Sequence, residues 1–195
     1  MRLVLATRNA HKQREFARLL KGHEIESLPA GVELPPETGT AFADNALPKA
    51  RAAAAATGRT AIADDSGIVA AALDGAPGVR SARYAGLQAT DRENLDRLRR
   101  EVPAGSALAY VCAMAFVDPN NGEEKVFEGR CTGVMAAEPR GTGGFGYDPV
   151  FVPDDRDDGR TMAELTDAEK DAISHRGRAA RALADWLAAD REVAR

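Results

Sequence analysis

The chain has few cysteines, few aromatic residues and no excess of positive charge. Its two cysteines belong to no paired metal-binding or redox motif, which argues against a zinc site or a disulfide framework. We therefore expect Cys112 and Cys131 to be buried, reduced thiols. The formal net charge of -4 argues against a general nucleic-acid surface, because binding to a phosphate backbone needs clustered positive charge. A local basic pocket for one small anion remains compatible with this charge.

Long apolar runs are also missing. No stretch reaches the length needed to span a bilayer, and the N-terminus enters a strand without a charged leader. We therefore expect a cytoplasmic protein without membrane contact. The 195 residues are enough for a substantial core, and we predict a single domain over residues 1–195.

A strand, a polar loop and a helix open the chain. Residues 2–6 predict the strand, and Phe16, Leu19 and Leu20 define one face of the helix. Backbone N–H groups at such a helix start can bind phosphate. Lys12 in the first turn opposes the helix dipole unless an anion is bound there. The alternative is that Thr7 or Asn9 only caps the helix and that Lys12 is solvated.

An acidic stretch follows the second predicted helix. Residues 40–57 predict an alanine-rich helix with a kink at Pro48. The next run, Ala61-Ile62-Ala63-Asp64-Asp65-Ser66-Gly67, predicts a strand that ends at two carboxylates. Such an end can hold a metal ion or an attacking water, since Mg²⁺ prefers carboxylate oxygens. Taken alone, Asp-Asp-Ser-Gly is more simply explained as a polar turn.

The second half predicts a hairpin, a glycine-rich loop and a final helix. Residues 107–117 and 124–135 are strand-like and are joined by a turn that contains Asn-Gly. In the loop at 141–149, Phe145 could offer a ring to a flat ligand or anchor the loop. His175 and Arg176 fall in the first turn of the last helix, where two cations favour an anionic or polar ligand. A lone histidine is more often structural.

Several segments together resemble the inosine triphosphate pyrophosphatase family, which splits noncanonical purine nucleoside triphosphates such as dITP, ITP and XTP. They occur in the order of that family and span nearly the whole chain. The main segments are Leu5-Ala6-Thr7-Arg8-Asn9-Ala10-His11-Lys12, Glu37-Thr38-Gly39, Ala63-Asp64-Asp65-Ser66-Gly67, Gly144-Phe145-Gly146-Tyr147-Asp148-Pro149 and Ser174-His175-Arg176-Gly177.

The resemblance implies a fold and a reaction. The fold would be an elongated, two-lobed α/β fold with a central mixed β-sheet flanked by helices and a nucleotide cleft between the lobes. The protein would be a Mg²⁺-dependent homodimer. Water would attack the α-phosphorus and release pyrophosphate and a nucleoside monophosphate.

The resemblance also implies site residues. Asp65 would be the catalytic base or would orient the water, with Asp64 in support. Glu37 and Asp65 would bind Mg²⁺, and Asp64 is a further candidate ligand. The expected substrate-binding residues are Thr7, Arg8, Asn9, Ala10, His11, Lys12, Lys49, Ser66, Phe145, Gly146, Tyr147, Asp148, Lys170, His175 and Arg176.

Base selection has its own physical reason. Hypoxanthine and xanthine present an acceptor at O6 and a donor at N1, whereas adenine presents the reverse. A donor such as Arg176 and an acceptor such as Asp148 would be left unpaired by adenine, and such mismatches discriminate strongly. Rejection of GTP must depend on its 2-amino group, and the sequence does not show how.

Three positions depart from the family pattern, and one of them is Asp44, which stands where the family usually has Glu before Asn45. Arg8 stands where the family often has glycine, and Pro48 precedes Lys49, which is therefore the least secure phosphate contact. Two other functions stay open at this point. One is a Maf-like nucleotide pyrophosphatase with a different base preference, and the other is a catalytically silent nucleotide-binding protein.

Overall fold

The structure is a computed structural model that describes residues 1–193, so the last two residues of the predicted domain lie outside the described part. The helices in the described part are α1 (Ala10–Leu19), α2 (Phe42–Thr57), α3 (Asp91–Glu101), α4 (Asp167–Ile173) and α5 (His175–Val193). The strands there are β1 (Arg2–Leu5), β2 (Glu24–Ser27), β3 (Ala61–Ala70), β4 (Ala107–Asp118), β5 (Glu123–Met135) and β6 (Phe151–Pro153).

The strands form one mixed sheet in the order β2-β1-β3-β4-β5-β6. β1 is parallel to both β2 and β3, and β6 is antiparallel to β5. β4 and β5 are neighbours joined by the turn at residues 119–122, as the Asn-Gly pair predicted. The predicted α/β class, with a central mixed sheet flanked by helices, is confirmed.

The chain forms two compact units, and both are discontinuous in sequence. The first unit contains Met1–Asp65, Cys112–Gly129 and the chain from Arg176 onward. The second unit contains Ser66–Val111 and Arg130–His175. The single domain over residues 1–195 stays a prediction.

In the first unit, alternate residues of β1 enter two different hydrophobic clusters. Leu3 and Leu5 pack with Phe16 of α1 and Leu183 of α5, whereas Val4 packs with the buried alanines of α2. Successive strand residues point to opposite faces of a sheet. Within this unit, α1 and α5 therefore cover one face, and α2 covers the other.

β3 runs without interruption from Ala61 to Ala70. The prediction that this strand ends at Asp64 and Asp65 is wrong, and so is the alternative of a polar turn. The strand passes Ser81 at Gly67. A Cβ at position 67 would overlap the Ser81 hydroxyl, so glycine is needed there to leave room for the Ser81 side chain. Both carboxylates are thus mid-strand residues.

α2 is one continuous helix through Pro48, so this proline does not end it, and the kink predicted there stays a prediction. Proline removes one helix hydrogen bond, but Ala46, Ala50 and Ala53 are buried in a tightly packed alanine-rich cluster. This tertiary packing stabilises the helix across the missing bond. Gly58 follows the last residue of the helix in a left-handed conformation with φ 63.

The second unit has one hydrophobic cluster of its own. Leu95, Leu98 and Val102 form the buried stripe of α3, and Phe151 of β6 lies in the same cluster. Thr90 caps α3 in a capping box with Glu93. Within residues 1–193, no helix is both long and apolar enough to cross a membrane. Cys112 and Cys131 are both buried thiols, as predicted.

Candidate active site

Each unit contains one buried polar cluster. The first-unit cluster comprises Lys12, Glu15, Glu37, Asn45, Lys49, Asp64, Asp65 and Arg176. The second-unit cluster comprises Tyr110, Phe145, Asp148, Lys170 and His175.

Asp64 is a buried, ion-paired carboxylate of the first-unit cluster. Its Oδ2 lies 2.9 Å from Lys12 Nζ and 3.4 Å from Arg176 Nε. Arg176 Nη1 also lies 3.0 Å from Glu15 Oε2, and Glu15 is buried on α1. Burial raises the pKa of Asp64, but the charges of Lys12, Arg176 and Lys49 outweigh burial and hold this pKa well below its usual range. Asp64 is therefore a permanently ionised centre that holds cations.

Asp65 has a different environment. Asn45 Nδ2 of α2 donates to Asp65 Oδ2 at 2.8 Å, and the Gly39 backbone N–H donates to Asn45 Oδ1 at 2.8 Å. Burial raises the pKa of Asp65; the Asn45 hydrogen bond and the charge of Lys49 oppose this, and the charge of Glu37 adds to it. A buried carboxylate with a raised pKa is a candidate general base.

Lys49 connects the loop before α2 to β3. Its ammonium donates to Glu37 Oε1 at 2.6 Å and to the backbone carbonyl of Asp64 at 2.7 Å. The side chain of Lys49 is 8% exposed, whereas that of Glu37 is 33% exposed. Glu37 is thus the more accessible partner and can reach a ligand from this position.

The start of α1 is capped by Asn9, one of the two predicted caps. Asn9 Oδ1 accepts hydrogen bonds from the N–H groups of His11 and Lys12 at 2.9 and 3.2 Å. The Thr7 hydroxyl accepts from the Asn9 N–H at 3.2 Å. Two N–H groups that we expected to bind phosphate are therefore bonded within the loop. The Lys12 ammonium is paired with Asp64, so the alternative of a solvated Lys12 is wrong.

The Arg8 guanidinium binds the loop that follows β2. It donates to the backbone carbonyls of Leu28, Pro29, Ala30 and Val32 at 2.7–3.2 Å. Arg8, which stands where the family often has glycine, therefore uses its charged side chain to hold this loop. It does not direct that charge towards the start of α1.

Asp148 is the centre of the second-unit cluster and is 3% exposed. Its Oδ2 accepts from Lys170 Nζ at 2.8 Å and from the Phe145 N–H at 2.9 Å, and its Oδ1 accepts from the Tyr110 hydroxyl at 3.0 Å. Lys170 Nζ also lies 5.3 Å from the centre of the Phe145 ring. Gly144 has φ 68, and a Cβ there would overlap Asp148 Oδ2. This glycine is therefore required for the loop to reach the carboxylate.

The other predicted residues of the second unit lie around this centre. His175 is buried, and its ring stacks on Tyr110 with centroids 4.6 Å apart. The Tyr147 hydroxyl donates to the Ser81 carbonyl at 2.7 Å, and the Gly146 N–H donates to Asp91 Oδ2 at 2.9 Å. Phe145 is half-buried, as is Ser66 in β3.

The predicted metal ligands are not gathered into one group. Within residues 1–193, no three His, Cys, Asp or Glu side chains are arranged to hold a metal ion. Asp64 and Asp65 are consecutive in a strand and point to opposite faces. Asp64 is in addition committed to Lys12 and Arg176. Glu37 and Asp65 remain as the candidate pair of oxygen ligands.

Sequence reasoning missed Glu15, Asn45 and Tyr110 as members of these clusters. Asn45 lies between Glu37 and Lys49, which the resemblance does assign to the site, so it could have been considered with them. Glu15 and Tyr110 carry no such local signal, because one lies in an amphipathic helix and the other in an apolar strand.

The chain is similar to known proteins in both sequence and fold. The sequence matches the Ham1 family over residues 3–186. A protein from Frankia alni named dITP/XTP pyrophosphatase is 49% identical, and the match covers 96% of this chain and 97% of that protein. The solved structure of a HAM1 protein from Coxiella burnetii has a TM-score of 0.83 at 42% identity, covering 96% of this chain and 98% of that chain. A Mycobacterium abscessus structure described as a nucleoside-triphosphatase / dITP/XTP pyrophosphatase has a TM-score of 0.71 at 48% identity, covering 94% and 98%.

Proposed function

The chain belongs to the Ham1 family, and on this premise we propose that it hydrolyses noncanonical purine nucleoside triphosphates such as dITP, ITP and XTP. The products would be the nucleoside monophosphate and pyrophosphate. The observation that carries the proposal is the contrast between two adjacent carboxylates. Asp64 is held ionised by cations, whereas Asp65 is buried with a raised pKa. Such a pair supplies one carboxylate that positions cations and a second carboxylate that can accept a proton.

Lys12 and Lys49 are the proposed charge partners of the triphosphate. Both are ammonium groups that contact Asp64, and Lys12 lies at the N-terminus of α1, where anions are favoured. Phosphate oxygens would take over part of their present carboxylate contacts. Residues 7–12 would line the same region, with the Arg8 side chain holding the adjacent loop instead of a phosphate.

Glu37 and Asp65 fit a divalent cation, which we propose to be Mg²⁺. Both supply carboxylate oxygens, the ligand type that Mg²⁺ prefers. The negative charge of Glu37 raises the pKa of Asp65, so the two carboxylates repel each other, and a cation bound to both would relieve this repulsion. A bound cation of this kind neutralises charge on the phosphate oxygens.

In the proposed reaction, Asp65 accepts a proton from the attacking water. The water oxygen forms a bond to the α-phosphorus as the bond between that phosphorus and the bridging oxygen breaks. Pyrophosphate leaves with the bonding electron pair. Asp64 does not take part directly but keeps Lys12 and Arg176 in place.

The second-unit cluster is proposed to recognise the base. Phe145 offers a ring for stacking, Asp148 offers an acceptor for the N1–H of hypoxanthine or xanthine, and Lys170 offers a cation beside them. Ser66, Gly146, Tyr147 and His175 are further proposed contacts. Arg176 would donate to O6 only if it exchanged its contact with Glu15. An Arg176→Ala variant tests this contact. If Arg176 donates to O6, kcat/KM should fall more for ITP than for ATP. An equal fall for both substrates would assign Arg176 to the ion cluster alone.

Pyrophosphate release from a substrate panel with Mg²⁺ tests the proposed function. The panel contains ITP, XTP, dITP, GTP, ATP and the pyrimidine triphosphates. We expect turnover of the first three well above that of ATP. A preference for pyrimidine nucleotides would favour the Maf-like alternative, and binding without turnover would favour the silent nucleotide-binding protein. Equal turnover of ATP would contradict the proposed base recognition.

A homodimer and a cytoplasmic location are further parts of the proposal. Both are supported by the resemblance to the family alone. Light scattering coupled to size-exclusion chromatography would test the dimer, and a monomer at micromolar concentration would contradict it.

A further inference from the structure

We infer that Tyr110 is a positioning residue for base recognition, because one side chain fixes both the Asp148 carboxylate and the His175 ring. The inference rests on the proposed function, since it explains how residues assigned there to the base are held. Tyr110 lies in β4 and is 6% exposed. It acts through its neighbours and is not itself assigned a contact with the nucleotide.

The Tyr110 hydroxyl defines how Asp148 can accept hydrogen bonds. Asp148 Oδ2 receives two donors, Lys170 Nζ and the Phe145 N–H, whereas Oδ1 receives the Tyr110 hydroxyl. Each oxygen of an ionised carboxylate can accept about two hydrogen bonds. In the described part of the chain, Oδ1 is therefore the oxygen with remaining capacity. The Tyr110 hydroxyl determines the direction from which Asp148 Oδ1 can accept a further hydrogen bond.

The Tyr110 ring holds the second group. It stacks on the His175 ring with centroids 4.6 Å apart and an interplanar angle of 8°. Phe151 packs against Tyr110 at 4.6 Å and 39°. The Tyr110 ring thus packs against two other rings. Its position in turn determines where the His175 ring and the Asp148 carboxylate lie.

This geometry bears directly on the choice of base. The N1–H of hypoxanthine or xanthine can donate to an oriented carboxylate oxygen, whereas N1 of adenine would place one acceptor against another. A carboxylate that could rotate would lose part of this discrimination. The Tyr110 hydroxyl restrains rotation of the Asp148 carboxylate but occupies only one of the two lone pairs of Oδ1. Removal of this hydroxyl should therefore affect base recognition and leave phosphate binding unchanged.

Tyr110→Phe separates this role from core packing, because it keeps the ring and removes the hydroxyl. We expect KM for ITP and the inhibition constant of IMP to rise about tenfold, as for loss of a hydrogen bond to a charged group, with kcat near the wild-type value. The inhibition constant of pyrophosphate, which has no base, should not change. Tyr110→Leu removes the stack on His175 as well and should raise KM further.

Tyr84→Phe is the matched control. It removes a hydroxyl that donates to another carboxylate of the second unit, Glu101, and should leave KM, kcat and both inhibition constants unchanged. Thermal unfolding checks that each variant is folded. An unchanged KM for ITP in folded Tyr110→Phe would overturn the inference, as would equal increases for ITP and pyrophosphate. A wild-type protein that turns over no member of the substrate panel would instead refute the proposed function.

Discussion

Asp64 and Asp65 are consecutive in β3, yet their carboxylates contact different helices. Asp64 pairs with Lys12 of α1 and Arg176 of α5, whereas Asp65 accepts a hydrogen bond from Asn45 of α2. The alternation of a strand separates the two groups onto opposite faces. The two carboxylates therefore have different hydrogen-bond partners, although the charge of Lys49 acts on both.

Replacement of Asp65 by Asn should abolish catalysis without lowering stability. We expect kcat for ITP to fall by a factor on the order of 10² to 10⁴, because the proton acceptor is lost, while the nucleotide still binds. The pKa of Asp65 is raised in the folded protein, which means that folding disfavours its ionised form. A neutral amide should therefore leave the free energy of unfolding unchanged or slightly higher. Steady-state kinetics, calorimetric titration with ITP and urea unfolding at pH 7 measure these quantities. A near-normal kcat would remove Asp65 from its proposed role.

Asp64→Asn is the matched comparison and should act mainly on stability. It leaves the buried cations Lys12 and Arg176 without their shared carboxylate. Loss of one partner from a buried ion pair costs about 3–5 kcal/mol in the free energy of unfolding. Equal stability losses in the Asp64 and Asp65 variants, measured by the same urea titration, would contradict the division between the two residues.

Arg8→Ala should loosen a loop and barely change substrate affinity. The variant loses the hydrogen bonds to four backbone carbonyls, so amide hydrogen exchange in residues 28–34 should become faster. KM for ITP should change by less than about threefold. Arg8→Lys keeps the charge but lacks the planar fork of donors, so it should resemble Arg8→Ala. An increase in KM that only lysine reverses would assign Arg8 to a phosphate instead.

Gly144→Ala should impair substrate recognition for two reasons: the positive φ of residue 144 and the overlap of the new Cβ with Asp148. Gly144 and Gly159 have φ values of 68 and 67, so alanine costs about 1–2 kcal/mol at either position. Only at Gly144 would the added Cβ overlap Asp148 Oδ2, whereas the surroundings of Gly159 are open. We expect kcat/KM for ITP to fall at least tenfold in Gly144→Ala and to stay unchanged in Gly159→Ala. Similar kinetics for both variants would show that Asp148 does not depend on this close approach.

Local patterns predicted most elements of the fold because those elements carry their own signals. β1, α1, α2 and the β4–β5 hairpin have apolar periodicity, caps or turn residues in sequence. β2 was missed because Glu24–Ser27 contains one apolar residue and is only partly buried. Its conformation depends on parallel pairing with β1. Pairing of this kind leaves no mark within four residues.

The residue types of the site could be predicted, but their pairings could not. Glu15 binds Arg176 across 161 positions, and Tyr110 binds Asp148 across 38. Neither distance has a sequence period. The predicted strand end at Asp64 and Asp65 was wrong for a related reason, because two polar residues in mid-strand are stable only when partners from other elements compensate their burial.

The backbone of Gly39 orients the Asn45 amide that donates a hydrogen bond to Asp65. The Gly39 N–H donates to Asn45 Oδ1, so the Asn45 amide must present its NH₂ group to Asp65 Oδ2. A donor at Oδ2 lowers the basicity of that oxygen, and the two oxygens of one carboxylate become chemically inequivalent. A Cβ at residue 39 would overlap Asp44, so this arrangement requires glycine. In the proposed mechanism, a residue without a side chain would thereby favour Oδ1 of Asp65 as the oxygen that accepts the proton of the attacking water.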